Sequence, residues 1–130
     1  MAKAYALMLG ILVGSHALVG WFIEGSLMLG LFNVDIVNDI IYTVCAAALL
    51  LVGATPAPAK AIQAVLLAVG LVFVLLGLGS LSDEHLGGLL PTGTTILDHL
   101  LLLGTGAGAL LFGVLPWARK PLMTDGTALN

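Results

Sequence analysis

Hydrophobic positions in this chain neither alternate nor stripe; they run on. Four nearly unbroken apolar stretches, residues 5–22, 36–53, 61–79 and 96–115, are separated by short polar segments. At a rise of 1.5 Å per residue, roughly 20 residues cross the hydrocarbon core of a bilayer, so each stretch is long enough to span. The polar segments differ in kind. Residues 54–60 contain Pro56 and Pro58, which forbid a continuous helix and leave a tight extended link, so the flanking helices form an antiparallel hairpin. Residues 80–93 carry glycines, a proline and charges, which predict a longer loop, partly re-entrant or interfacial. Residues 23–34 form a similar longer loop between the first two stretches. The pattern predicts an all-α membrane protein, a bundle of four transmembrane helices.

Composition strengthens this reading. With 60% hydrophobic and 8% charged residues in a chain of 130, a water-soluble domain could not hide its apolar surface. Lipid removes the difficulty, because only backbone polar groups then need internal partners, and helices supply them. A single domain, residues 1–130, is expected, with one hairpin over about 1–55, a second over about 59–118 and a short tail, 119–130. The net charge of −3 is scattered and offers no basic surface for nucleic acid. Cys45, the single cysteine, allows neither an internal disulfide nor a Cys-rich metal site. Lys and Arg accumulate on the cytoplasmic side of membranes. Lys3, Lys60, Arg119 and Lys120 all fall on one side if the chain crosses four times, while Glu24, Asp83 and Glu84 fall on the other. A multi-pass protein of the cell (inner) membrane with both termini cytoplasmic is the expectation. Ser15-His-Ala17 mimics a signal-peptide cleavage site, but the apolar run continues past it, so the first segment reads as a retained helix.

The chain also repeats itself. A shift of about sixty positions lays Ile36-Val-Asn-Asp39 on Ile96-Leu-Asp-His99 and Val52-Gly53 on Phe112-Gly113, with Gly30-Leu-Phe and Gly88-Leu-Leu ahead of each. Upstream, Ala2-Lys-Ala4 resembles Ala59-Lys-Ala61, and Gly20 falls on Gly77 with a slightly smaller shift. Each copy crosses twice, so both enter the membrane in the same direction, which predicts parallel repeats about a pseudo-two-fold axis along the membrane normal. The doubled pattern of Gly-Leu-Phe/Leu, a short polar turn and Asn/Asp with His entering an apolar helix resembles an uncharacterised bacterial four-helix membrane family, a domain of unknown function. The resemblance spans nearly the whole chain. His99 matches a family histidine position, whereas Tyr42 stands where the first copy would carry His, and Asn38 and Asp39 shift the polar set. It implies architecture and location, with no activity to carry over.

Polar residues inside the apolar stretches are where function would show, since an ionisable group in lipid is costly. Asp35, Asn38, Asp39 and Tyr42 share one side of the start of the second helix, and Thr95-x-x-Asp98 occupies the same place in the fourth. Their structural role is capping of helix N-termini and solvation at the outer boundary; the functional alternative is a cation or ligand site at an outer mouth, or a contact with a partner subunit. His16 and His99 come to comparable depth, and either imidazole could ligate haem iron or chlorophyll magnesium; the plainer reading is a hydrogen bond to a neighbouring helix. Gly10 and Gly14, with Gly104 and Gly108, have the small-residue spacing that lets helix backbones approach closely in lipid.

The inventory lacks His-Glu-x-x-His, a Cys/His cluster and Gly-x-Ser-x-Gly, so no metal site and no nucleophile elbow is expected. The reading is a non-catalytic integral membrane protein, a structural or accessory subunit of a larger membrane complex, whose partners are the bilayer and other membrane subunits or further copies of itself. No cofactor is expected. The alternatives are a haem or chlorophyll binder through His99 or His16, and a small transporter or channel. The topology is directly testable: a cysteine placed at Thr127 should resist a membrane-impermeant thiol reagent in sealed cells, and labelling from outside would overturn the assignment.

Overall fold

The structure is a computed structural model that describes residues 2–22, 27–28, 32–33, 36–83, 87 and 95–114. It contains α1 (Ala2–Phe22), β1 (Leu27–Met28), β2 (Phe32–Asn33), α2 (Ile36–Ala54), α3 (Ala59–Ser82) and α4 (Ile96–Val114). All four helices are long and apolar enough to cross a membrane. The boundaries agree with the apolar runs to within a few residues, α1 extending further at its start and α3 at both ends, where Ala and Lys are good helix formers and Ser only a modestly poorer one. The two strands are an addition: Leu27 pairs with Asn33 and Met28 with Phe32 in an antiparallel ladder. Two-residue strands give backbone groups of the longer loop a partner without extending a sheet. The re-entrant reading of the second long loop falls mostly outside the described residues.

The proline link is as tight as its sequence demands. Ala57 donates its N–H to the Thr55 carbonyl at 2.8 Å, and the Pro58 carbonyl accepts from Ala61 and Ile62 at 3.0 and 3.2 Å, starting α3. Pro58 is the N-cap residue, with φ −68° and ψ 154°. Its fixed φ and missing N–H suit it to the last extended position before a helix. Packing is dense within α1–α2 and within α3–α4 and sparser between these hairpins.

Glycine sets the distance between helices in each hairpin. A methyl group on Gly53 would lie 2.7 Å from the Leu7 backbone nitrogen, and one on Gly113 would lie 2.9 Å from a Leu67 methyl. Likewise Gly10 lies against Leu50, and Gly70 against Leu110 and the Gly106 carbonyl. Every one of these partners in one hairpin stands sixty positions from its counterpart in the other. The ends of the helices keep the same offset: Ile36 and Ile96 open α2 and α4, and Phe22 and Ser82 close α1 and α3. Burial does too, for Leu9 and Val69, Gly10 and Gly70, Val13 and Phe73, Ala17 and Gly77, and Gly20 and Ser80. The starts of α1 and α3, Ala2 and Ala59, keep the smaller offset of the Ala-Lys-Ala similarity, while the packed positions further along pair Ala17 with Gly77 and Gly20 with Ser80.

Of the glycines expected to bring helices together, three of four do so. Gly10 meets Leu49 and Leu50, Gly14 faces the Ala46 methyl at 3.4 Å, and Gly108 lies under the Tyr5 ring. Gly104 does not. It is exposed, with nothing within 4 Å of a methyl placed there. The close approach of α4 to α3 runs instead through Gly106, where a methyl would meet the Phe73 Cβ at 3.0 Å and the Gly70 carbonyl at 3.1 Å. The two positions are about 200° apart around a helix of 3.6 residues per turn, which puts them on opposite faces. Gly106→Leu should therefore cost about 1–3 kcal/mol through overpacking, while Gly104→Leu should stay within about 0.5 kcal/mol of the parent. Thermal unfolding in mild detergent reads both, and equal losses would refute this assignment of faces.

Candidate functional site

The end of the bundle that carries the two longer loops also carries its buried polar side chains. His16, Asn38, Asp39, Ser80 and Asp98 are buried, Asp39 and Asp98 at 0% exposure, and so is Tyr42. All lie where α1 and α3 finish and α2 and α4 begin. In α2 the buried positions Asn38, Tyr42, Cys45, Leu49 and Val52 recur every three or four residues. The polar residues thus continue the stripe that faces the bundle, and hydrophobic packing further along α2 holds them inward.

Tyr42 is the meeting point. Its ring receives His16 of α1 edge-on, with centroids 4.7 Å apart and planes at 83°, and packs obliquely on Phe73 of α3 at 5.6 Å. Its hydroxyl faces Asn38 on its own helix and lies within electrostatic reach of Asp98 on α4 and of Asp39. Side chains of all four helices therefore converge on one residue. The hydroxyl is fully enclosed and makes no hydrogen bond of ordinary geometry among the described residues.

The two aspartates are held differently. Asp98 closes a reciprocal cap with Thr95: the Thr95 backbone N–H donates to Asp98 Oδ2 at 2.9 Å, the Thr95 hydroxyl is 3.3 Å from the same oxygen, and the Asp98 N–H lies 3.3 Å from Thr95 Oγ1. Two otherwise orphaned donors at the start of α4 are satisfied in this way, and the carboxylate complements the helix dipole. Asp39 instead turns toward α1 and fills the notch left by Gly20, where a methyl would lie 2.6 Å from its Cγ and 2.7 Å from Oδ2. Only glycine leaves that space. The Asp39 carbonyl accepts the Thr43 hydroxyl at 2.7 Å, and Thr43 in turn accepts the Trp21 indole N–H at 3.0 Å, a second tie between α1 and α2.

The placement alters the sequence reading. Asn38, Asp39, Tyr42 and Asp98 are interior residues, not groups solvated at a boundary, and His16 belongs with them through Tyr42. Asp35 lies outside the described residues. His99 follows the capping residue into α4, half-buried, its N–H donating to the Thr95 carbonyl at 3.1 Å. Among the described residues no three His, Cys, Asp or Glu side chains are grouped to hold a metal ion. Sequence reasoning passed over Gly20, Phe73 and Ser80 as members of the site. Gly20 had a signal, since it is the helical position that meets the first turn of α2 in an antiparallel hairpin, but no rule of spacing says which side chain will need its space.

Two further features lie outside the cluster. Tyr5 of α1 stacks on Phe112 of α4, with centroids 4.6 Å apart, and donates its hydroxyl to the Thr105 carbonyl at 2.8 Å, tying the two hairpins together toward the other end. On the outward side of α1 and α2, a groove of about 280 Å³ is floored by Gly14, Ala46 and Ala47 and edged by Leu18, Trp21 and Leu50.

Four apolar helices of spanning length with an enclosed polar cluster at one end make this a multi-pass membrane protein. No protein-family model matches the chain, and no curated protein and no solved structure matches it. The cap at Asp98 can be tested by paired substitutions. Asp98→Ala should cost about 0.5–2 kcal/mol, whereas Asp98→Asn, which keeps an acceptor for the Thr95 N–H, should lose much less. Equal loss of stability in the two variants would show that charge, and not the cap, is what the position supplies.

Proposed function

We propose that this chain is a non-catalytic membrane protein that serves as a structural or accessory subunit of a larger membrane assembly, with both termini on the cytoplasmic side. The observation that carries this reading is the outward-facing backbone of α4 at Gly104, where no described residue comes within 4 Å of a methyl placed there. Ala107, one turn further, is also exposed. In lipid, water exclusion does not drive helices together, and close backbone approach at small residues takes its place. Most of the described helical glycines press against the partner helix of their own hairpin, so bare backbone left on the outside has no internal use. The groove over Gly14, Ala46 and Ala47 is a second surface of the same kind.

The polar cluster fits this role as an internal fastening. It lies behind packed side chains, and its ring contacts run between helices of the same bundle. The alternating basic and acidic ends of the apolar runs support the orientation. Gly104→Leu discriminates: in chemically cross-linked native membranes it should reduce recovery of the high-mass complex at least several-fold, while the purified variant unfolds at the parent temperature. An assembly of unchanged size and yield would overturn the accessory reading.

A further inference from the structure

The two hairpins share one packing scheme, and they depart from it where the groove lies. In the second hairpin the seam between α3 and α4 is filled from within. A methyl on Gly77 would lie 2.7 Å from a Leu103 methyl, and one on Gly106 would lie 3.0 Å from a Val74 methyl. Sixty positions earlier the large and small residues are exchanged: Ala17 and Ala46 stand for the two glycines, while Gly14 stands for Val74 and Thr43 for Leu103. The Thr43 hydroxyl is drawn back to the Asp39 carbonyl at 2.7 Å, and Gly14 has no side chain. The aliphatic groups that close the α3–α4 seam are therefore missing from the α1–α2 seam, and the groove of about 280 Å³ lies there.

Its dimensions select the occupant. The lining runs from Gly14 to Trp21 on α1 and from Thr43 to Leu50 on α2, about 10 Å along each helix at 1.5 Å per residue. A volume of about 280 Å³ over that length makes a slot roughly 5 Å wide. A helix with its side chains is about 10–12 Å across and cannot enter it, whereas a single alkyl chain, whose carbons rest about 3.5–4.0 Å from their neighbours, can lie along it. Side chains of a neighbouring helix would enter across the slot and not along it. The helices that wall it are of membrane-spanning length, so its long axis follows the direction of lipid chains. No charged residue lines it, and the donors at its Trp21 end are spent inside the hairpin, the indole N–H on Thr43 at 3.0 Å and the Thr43 hydroxyl on Asp39. Trp21 stands one residue from the end of α1, at the level where tryptophan rings meet lipid headgroups. We propose that the groove between α1 and α2 binds one acyl chain of a membrane phospholipid, entering past Trp21, with Gly14, Ala46 and Ala47 as its floor and Leu18 and Leu50 as its walls. The acyl chain supplies the aliphatic bulk that Val74 and Leu103 supply in the other hairpin. The site is recessed between two helices, unlike the open face of α4 at Gly104, and stands apart from the accessory reading.

Trp21 reports occupancy, because bromine on an acyl chain quenches a tryptophan only at close range. The full chain carrying Trp117→Phe, so that Trp21 is its one tryptophan, is titrated in maltoside micelles with phosphatidylcholine brominated on its acyl chains. Quenching should saturate near one lipid per chain and be reversed by unbrominated lipid. Ala47 is exposed in the groove, so Ala47→Leu fills it without entering the hairpin interior and should weaken the saturable quenching at least several-fold. Ala107→Leu, the matching change on α4, should leave it unaltered. Quenching that never saturates in the parent, that persists in A47L or that falls equally in A107L would each overturn the proposal. If A47L does not fold, Gly14→Ala decides: its added methyl meets the Ala46 methyl at 3.4 Å, an ordinary contact, and unweakened quenching there refutes the site. Sedimentation of the same samples names the rival occupant, since a parent dimer that A47L dissociates would put a second copy in the groove and overturn the lipid.

Discussion

A polar side chain enclosed by helices that otherwise face lipid has only other side chains and backbone to answer it, and in this bundle the answer is arranged around Tyr42. Its ring touches His16 and Phe73, and its hydroxyl is enclosed within electrostatic reach of groups on α2 and α4. Much else follows from that convergence. α1 must approach α2 closely enough to lay His16 on the Tyr42 edge, which brings residue 20 against the first turn of α2. There the Asp39 carboxyl occupies the volume of a side chain, so position 20 can carry none. The same approach lets Trp21 reach Thr43. One enclosed phenol therefore constrains the identity of residues on its own helix and on the one before it.

Backbone contact through glycine then repeats this closeness down the length of both hairpins. Gly53 on Leu7 and Gly113 on Leu67, Gly10 on Leu50 and Gly70 on Leu110, form one contact scheme used twice. The scheme holds even though chemistry at the loop-bearing end has diverged. Positions 38 and 98 are Asn and Asp, 39 and 99 are Asp and His, and 42 and 102 are Tyr and Leu. The second hairpin caps its helix with Thr95 and Asp98, while the first sends its acidic residue across to the neighbouring helix. Close packing tolerates this because the spacing of backbones is set by glycines deeper in each hairpin, leaving the ends free to differ. The hairpins then fasten to each other at two levels, by Tyr5 on α4 and by the rings around Tyr42.

Length, solvent and element type were legible in the chain alone. Runs of about twenty apolar residues have one structure open to them in lipid, because only a helix satisfies its own backbone groups there. Pro56 and Pro58 mark the tight turn, since proline removes the donor and the torsion that a continuous helix needs. The cap of α4 was visible as well, because Thr95 and Asp98 act on backbone only three residues away and need no tertiary partner. What the tertiary structure alone decided is which face of each helix turns inward. Apolar side chains line all sides of a membrane helix, so hydrophobic periodicity carries little orientation. Gly104 and Gly106, two residues apart and chemically identical, consequently ended on opposite faces, one bare and one pressed against Phe73. For the same reason His16, Asp39 and Asp98 read as separate features along the chain. They become one site only when antiparallel packing brings residue 20 to residue 39 and residue 16 to residue 42, a matter of register between helices that no local spacing encodes.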